Sequence, residues 1–207
     1  MSRTETPIFV LLLLCSIVCA AGCAGTREAE VATEETNVLP EWVRIAVPER
    51  DGRSQFVGGV SVATDLAAGV EAADTDARSQ IHQAATRRFT DAFNRCVQTS
   101  GVETTPMERL DVKNSISHEY GTTMSELARL DGSYHRPCDG EAGEDGPVCQ
   151  VFALLSVGAD EWDVVLAELL SNEKRRRADE GQDHLVDFLE FMMRAVREGP
   201  TEQGRKH

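Results

Sequence analysis

The sequence lacks an apolar run long enough to remain in a membrane as a helix. Its longest apolar stretch, residues 7–22, is shorter than the roughly 20 residues needed to cross the hydrocarbon core of a bilayer. Residues 26–28, Thr-Arg-Glu, are polar directly behind it. A permanent transmembrane helix is therefore the weaker interpretation of this stretch.

Basic residues are also scarce. The 207 residues include 21 Lys and Arg against 35 Asp and Glu, which gives a formal net charge of -14. A surface this acidic repels phosphate backbones and anionic head groups. We therefore expect no nucleic-acid partner.

Recognised catalytic and cofactor motifs are missing as well. The sequence has no Gly-x-Ser-x-Gly, and Gly58-Gly59 lacks the third glycine, the Lys and the Ser/Thr of a phosphate-binding loop. His82 and His118 have carboxylates nearby in sequence but no nucleophile in a familiar context, so we interpret them as surface histidines. These absences predict a protein that is not an enzyme, with no catalytic residues, no metal and no cofactor.

The N-terminus carries a secretion signal: Arg3, an apolar segment over residues 7–19, and then small residues before Cys23. Ala20-Ala21-Gly22-Cys23 resembles the lipobox of bacterial lipoproteins, in which the cysteine thiol receives diacylglycerol before a peptidase cuts in front of it. The two earlier cysteines follow Leu and Val, which are too bulky for that peptidase. Ala20 stands where lipoboxes most often carry Leu, so ordinary cleavage after an Ala-x-Ala-like site stays an alternative.

We therefore expect residues 1–22 to be a lipoprotein signal peptide and Cys23 to be the lipidated first residue of the mature chain. Its acyl chains, palmitate among them, would bury dozens of methylenes at about 0.8 kcal/mol each, so the anchor would be effectively permanent. Ala24, rather than Asp, follows the cysteine, which favours the outer membrane, facing the periplasm, over the inner membrane.

The mature chain divides into three parts by composition. Residues 23–38 are small, polar and acidic, as is typical of a flexible tether. Residues 39–199 are expected to form one α+β domain, because the mature length suffices for one core but hardly for two. Residues 200–207 are polar and are expected to be disordered.

Periodicity predicts the elements of that domain. Residues 55–63 favour a strand, whose paired glycines indicate a bulge or a close backbone approach. Residues 70–97 favour one long helix with an alanine-rich face, suited to lying closely on a sheet. Residues 107–130 favour a helix followed by a strand, and residues 148–157 are apolar enough for a central strand.

Two more helices are predicted near the C-terminus, one beginning at residues 160–162 and one over residues 185–196, ended by Gly199-Pro200. The sequence therefore predicts an α+β fold: a small, mostly antiparallel sheet packed against one long alanine-rich helix, with additional C-terminal helices.

The export signal makes disulfides permissible, and Cys138 and Cys149 are the natural pair, joined by ten Gly-rich and acidic residues. Metal binding by these cysteines with His135 and the neighbouring carboxylates is the alternative, although the spacing fits no standard zinc or calcium site. Cys96 lies on the apolar face of the long helix and is expected to be a buried free thiol, with a reactive thiol as the alternative.

The order of these features resembles the LPP-twenty family of small bacterial lipoproteins over residues 39–170. The resemblance is carried by the lipobox, the tether, Pro40-Glu41-Trp42, the strand Phe56-Val57-Gly58-Gly59-Val60, Ala77-Arg78 and Val151-Phe152-Ala153-Leu154-Leu155. It implies an outer-membrane-associated α+β domain with no assigned chemistry, related in fold to the N-terminal domain of a flagellar-assembly lipoprotein.

The only basic run, residues 174–177, lies among carboxylates and is expected to be a solvated helix face with i,i+4 ion pairs. Contact of this run with anionic lipid or peptidoglycan carboxylates is the alternative.

For function, these features favour a membrane-anchored binding or assembly module for another envelope protein or peptidoglycan. An envelope hydrolase would instead need a pocket where a histidine such as His82 or His118 meets a carboxylate. A third hypothesis is self-association through an apolar helical patch over residues 165–196.

Overall fold

The computed structural model describes residues 39–44, 49–61, 65–137 and 148–198. The signal peptide, Cys23, the tether, the loop over residues 138–147 and the C-terminal tail lie outside the described residues. Within them the chain forms, in order, α1 (Glu41–Arg44), β1 (Glu49–Arg50), β2 (Arg53–Val60), α2 (Leu66–Thr99), α3 (Pro106–Leu127), β3 (Arg129–Pro137), β4 (Val148–Gly158), α4 (Glu161–Asp179) and α5 (Asp183–Glu198). None of the helices in this part of the chain is both long and apolar enough to cross a bilayer.

The four strands form one antiparallel sheet in the order β1-β2-β4-β3. β4 lies between two long neighbours and is strongly apolar, as expected of a central strand. Its register with β2 is uninterrupted from Arg53 opposite Gly158 to Val60 opposite Val151. Its register with β3 shifts near both ends of β3, first at Leu130/Gly132 and again at Arg136/Pro137.

The long helix α2 lies against β2 and β4 through its small residues. Its buried face carries a residue at every fourth position, which keeps one stripe turned toward the sheet. That stripe is Ala73, Ala77, Ile81, Ala85 and Phe89. On the sheet side, a Cβ added to Gly58 would lie 2.0 Å from the Ala73 carbonyl oxygen. The close approach predicted from the paired glycines is therefore present at Gly58, whereas the irregular pairing occurs in β3 and not in β2.

Helices α3, α4 and α5 complete the core on the same side of the sheet. α3 begins at a capping box, in which Thr105 and Glu108 satisfy each other's backbone N–H groups. Halfway along α3, the buried Tyr120 hydroxyl donates to the Trp162 carbonyl oxygen at 2.8 Å and so fixes α3 against the start of α4. The core also takes in the apolar faces of α4 and α5. Its members there are Trp162, Leu166, Leu169, Leu170, Leu185, Phe188, Leu189 and Met192.

The prediction for the basic run is wrong at one residue. Arg177 is 3 % exposed and holds Glu173, itself 6 % exposed, at 2.7 Å. Its guanidinium also donates to Gln182 at 2.9 Å and pairs with Asp111 of α3. Arg177 is therefore an internal link between α3, α4 and the start of α5, because its position on α4 continues the buried stripe. Exposed Arg176 keeps the predicted i,i+4 pairing, with Glu180 at 3.6 Å.

The α+β fold predicted from the sequence is confirmed. The structure has an antiparallel sheet, one long alanine-rich helix against it and further helices at the C-terminal end. The ambiguous region after residue 106 is a helix followed by a strand, as predicted.

Candidate functional site

The cysteines singled out in the sequence lie mostly beyond the described ranges. Cys23 and Cys138 are outside them, and only the backbone of Cys149, in β4, is described. The lipid anchor and the Cys138–Cys149 disulfide therefore stay predictions. Among the described residues, no three His, Cys, Asp or Glu side chains are grouped closely enough to hold a metal ion.

Cys96 is buried on the inner face of α2 with a free thiol, as expected. Burial raises the pKa of this thiol, and the nearby Arg95 guanidinium opposes that shift. A buried, protonated thiol is a weak nucleophile. Its environment is therefore that of a small core residue.

His82 and His118 lie side by side between α2 and α3, with their ring centroids 5.9 Å apart. A Cβ on Gly121 would lie 2.5 Å from His82 Nδ1, so this glycine of α3 leaves room for the imidazole. Neither histidine lines either of the two cavities described below.

The first cavity, of about 570 Å³, lies at the start of α3, where a histidine and a carboxylate do meet. His184 Nε2 is 2.9 Å from Glu108 Oε1. Arg109 also lines the cavity, and its Nε is buried without a hydrogen-bond partner in the described part of the chain.

Glu108, the carboxylate that meets His184 in this cavity, is poorly suited to proton transfer near neutral pH. The backbone N–H of Thr105, then His184, then the Thr105 hydroxyl, lower the pKa of Glu108 to about 2. A general base works best when its pKa is near the working pH, so a group this acidic takes up a proton weakly. The Thr105 hydroxyl is itself occupied, because it donates to Glu108 Oε2 at 2.8 Å. The arrangement serves to cap α3 and to attach α5 to it.

The second cavity is a groove of about 540 Å³ between the first turns of α2 and strand β3. We call it the β3–α2 groove. Its residues come from two segments that are far apart in sequence. They are Leu66, Ala67, Val70, Glu71 and Asp74 from α2, with Leu130, Ser133 and His135 from β3. Apolar walls with a few polar groups at the margin are typical of binding sites.

Local interactions hold the α2 wall of the groove in place. Asp65 caps the helix by accepting from the Ala68 N–H at 2.8 Å. Asp74 accepts from Arg78 Nε at 2.6 Å, and Arg78 also donates to the Ser125 carbonyl oxygen in α3. Since Asp74 is paired in this way, Glu71 is left as the groove carboxylate without an ion-pair partner among the described residues.

Strand β3, the other wall, is at the edge of the sheet. It pairs with β4 on one side, and no strand of the described residues pairs with its other side. An edge strand presents backbone N–H and C=O groups that can pair with another chain. The groove therefore adjoins a row of backbone groups with unused hydrogen-bonding capacity.

Sequence reasoning did not find this groove. Leu66 lies at the first position of α2, and Leu130 follows α3, so they are separated by two helices in the chain. The sequence indicates His135 only as a candidate metal ligand with Cys138 and Cys149. The structure reveals the groove through Leu66, which follows the capping Asp65 and is 37 % exposed although it is large and apolar.

Comparison with protein-family models, curated proteins and solved structures found no match to this chain.

Proposed function

We propose that this chain is a non-enzymatic lipoprotein of the bacterial envelope, anchored through Cys23, whose α+β domain binds another envelope protein at the β3–α2 groove. The observation that supports binding is the groove itself. It combines apolar walls with an adjoining edge strand whose outer side pairs with no described strand. The lipobox-like sequence and the polar residues behind it support the location.

Two alternatives receive less support from the geometry. A hydrolase would use the His184–Glu108 pair, but the low pKa of Glu108 and its engagement in a helix cap make it a weak base. Self-association through the apolar face of the C-terminal helices would need that face at the surface. Most of its large side chains, among them Leu166, Leu189 and Met192, are in the core.

A photo-cross-linking experiment in intact envelopes tests the proposal. A benzophenone amino acid replaces Leu66 in the groove or, as the matched control, Leu110, which is 51 % exposed on α3. We expect a discrete cross-linked protein from position 66 and none from position 110. Equal labelling at both positions, or none at position 66, would contradict binding at the groove.

A further inference from the structure

We propose that the partner bound at the β3–α2 groove is an extended peptide segment that adds to the sheet as a fifth strand along β3. This inference rests on the proposed function and specifies its ligand. The segment would place apolar side chains over the groove and basic side chains beside Glu71.

The two open edges of the sheet differ, which favours β3. Beyond its short pairing with β1, β2 also has an open edge, but side chains of α2 occupy its backbone groups. The Gly59 N–H donates to Asp76 Oδ2 at 3.1 Å, and the Val57 carbonyl oxygen accepts from Gln80 at 2.9 Å. In the described part of the chain, no such side-chain bond reaches the backbone of residues 130–135. β3 is thus the edge whose outward groups remain available to a strand.

The groove lies beside the position that a strand added along β3 would occupy. Side chains alternate between the two faces of a strand, so every second residue of a segment beside β3 would lie on the same face as Ser133 and His135. That face looks toward Leu66 and Val70 of α2. Main-chain hydrogen bonds would supply affinity, and the groove would select the side chains, as in other cases of strand addition.

The negative charge at the groove and of the whole chain favours basic side chains in the partner segment. Glu71 is exposed at the groove without a described ion-pair partner, and the whole chain has a formal net charge of -14. A second copy would bring the same excess of negative charge to the interface, which disfavours pairing of two β3 edges. A segment whose side chains on the groove face, at every second position, are apolar and basic in turn satisfies the backbone, the groove and the carboxylate together.

Fluorescence anisotropy of the purified full chain with a labelled peptide of repeated Val-Thr-Lys-Thr, which places valine and lysine on the same face of a strand, tests the inference. We expect binding that weakens about tenfold or more in Leu66→Asp, a loss of about 1.4 kcal/mol or more. The control Leu110→Asp makes the same change on another exposed leucine and should bind as the wild type does. Aspartate in the first turn of a helix is favourable, so Leu66→Asp should fold, which circular dichroism would verify.

Two further comparisons separate strand addition from simple charge attraction. Glu71→Lys should weaken binding, whereas Glu168→Lys, the same change at an exposed position of α4, should not. A peptide methylated on every backbone nitrogen keeps its charge but has no N–H group on either edge to donate to β3, and we expect it not to bind.

No binding of the unmethylated peptide, or equal binding of the methylated one, would overturn the inference. So would a dimer in light scattering that Leu66→Asp abolishes, because the occupant would then be a second copy. If the peptide fails while position 66 still cross-links to an envelope protein, the proposed function stands and strand addition is wrong.

Discussion

At the scale of single residues, Arg177 illustrates what sequence reasoning could and could not find. Four consecutive basic residues on a helix point in different directions, since each is turned by about 100° from the last. Leu166, Leu170, Glu173 and Arg177 recur at three- and four-residue steps, so Arg177 belongs to the buried stripe and not to the solvated run. That spacing was visible in the sequence. The pairing of Arg177 with Asp111 was not visible there, because the two residues are 66 positions apart and only folding brings α3 and α4 together.

Replacing Arg177 should be destabilising. Arg177→Leu removes the 2.7 Å contact to Glu173 and the link to Asp111, while Arg176 still donates to Glu173 at 2.6 and 2.9 Å, so we expect a loss of about 1–3 kcal/mol. Arg175→Leu is the matched control: Arg175 is exposed on the same helix, and its loss should change the free energy of unfolding by no more than about 0.5 kcal/mol. Urea unfolding of the two variants measures the difference. Similar stabilities would mean that Arg177 is solvated.

The Glu108 carboxylate should make the fold sensitive to acid. Its pKa is lowered to about 2 from the ordinary 4.5, so its stabilising contribution is complete above pH 4.5 and is lost as the pH falls toward 2. Glu108→Gln removes this titration, and its urea midpoint should fall less over that range than that of the wild type. Glu103→Gln, at the margin of the same cavity, is the control and should follow the wild type. If Glu108→Gln also follows the wild type, the carboxylate does not stabilise the folded state through its charge.

At the scale of elements, the long helix and the central strand were predictable because each has a strong period of its own. The alanine-rich face of α2 predicted a close approach to a sheet, and the structure shows this approach at Gly58 of β2. The irregular pairing of β3 and the groove beside α2 were not predictable. Both depend on which residues lie opposite one another after folding, and no local pattern in residues 129–137 encodes the position of Leu66.

The contact between β2 and α2 should not tolerate a methyl group. In Gly58→Ala the new Cβ would lie 2.0 Å from the Ala73 carbonyl oxygen and 2.4 Å from the Ala77 nitrogen, both of them backbone atoms. Helix and strand would have to separate, at a cost of about 1–3 kcal/mol or more. Gly132→Ala is the control, because nothing lies within 4 Å of its added Cβ. Thermal unfolding should show a clear loss only for Gly58→Ala, and an unchanged midpoint there would refute the close contact.

The ends of β3 and β4 offer a test of the predicted disulfide. Pro137 at the end of β3 pairs with Val148 at the start of β4, so residues 138–147 connect two neighbouring strands. A bond closing this short loop should contribute about 2–3 kcal/mol in the chain-entropy account. Cys138→Ser should therefore lower the midpoint of thermal unfolding in the oxidised protein without altering membrane attachment. Non-reducing peptide mapping decides the pairing, and a bond from Cys96 or two free thiols would show it to be wrong.

At the scale of the whole molecule, the protein that we propose has a lipid anchor at Cys23 and a binding face at the β3–α2 groove. If residues 23–38 are the tether that the sequence predicts, they are long enough, at about 3.3 Å per extended residue, to span tens of ångströms. The full chain's formal net charge of -14 repels anionic head groups and favours partners with basic segments. Both properties suit a module that binds a protein near a membrane without lying on the lipid.

The lipid on Cys23 is the claim on which this account depends, because it fixes the compartment, permits the disulfide and limits the set of partners. Fractionation of cells that produce the wild type or Cys23→Ser tests it most directly, with the membranes washed in high salt. The tether is too polar to bind a bilayer without acyl chains, so the wild type should stay in the membrane pellet and Cys23→Ser should be released in soluble form. Cys23→Ser that remains in the washed pellet would contradict the account.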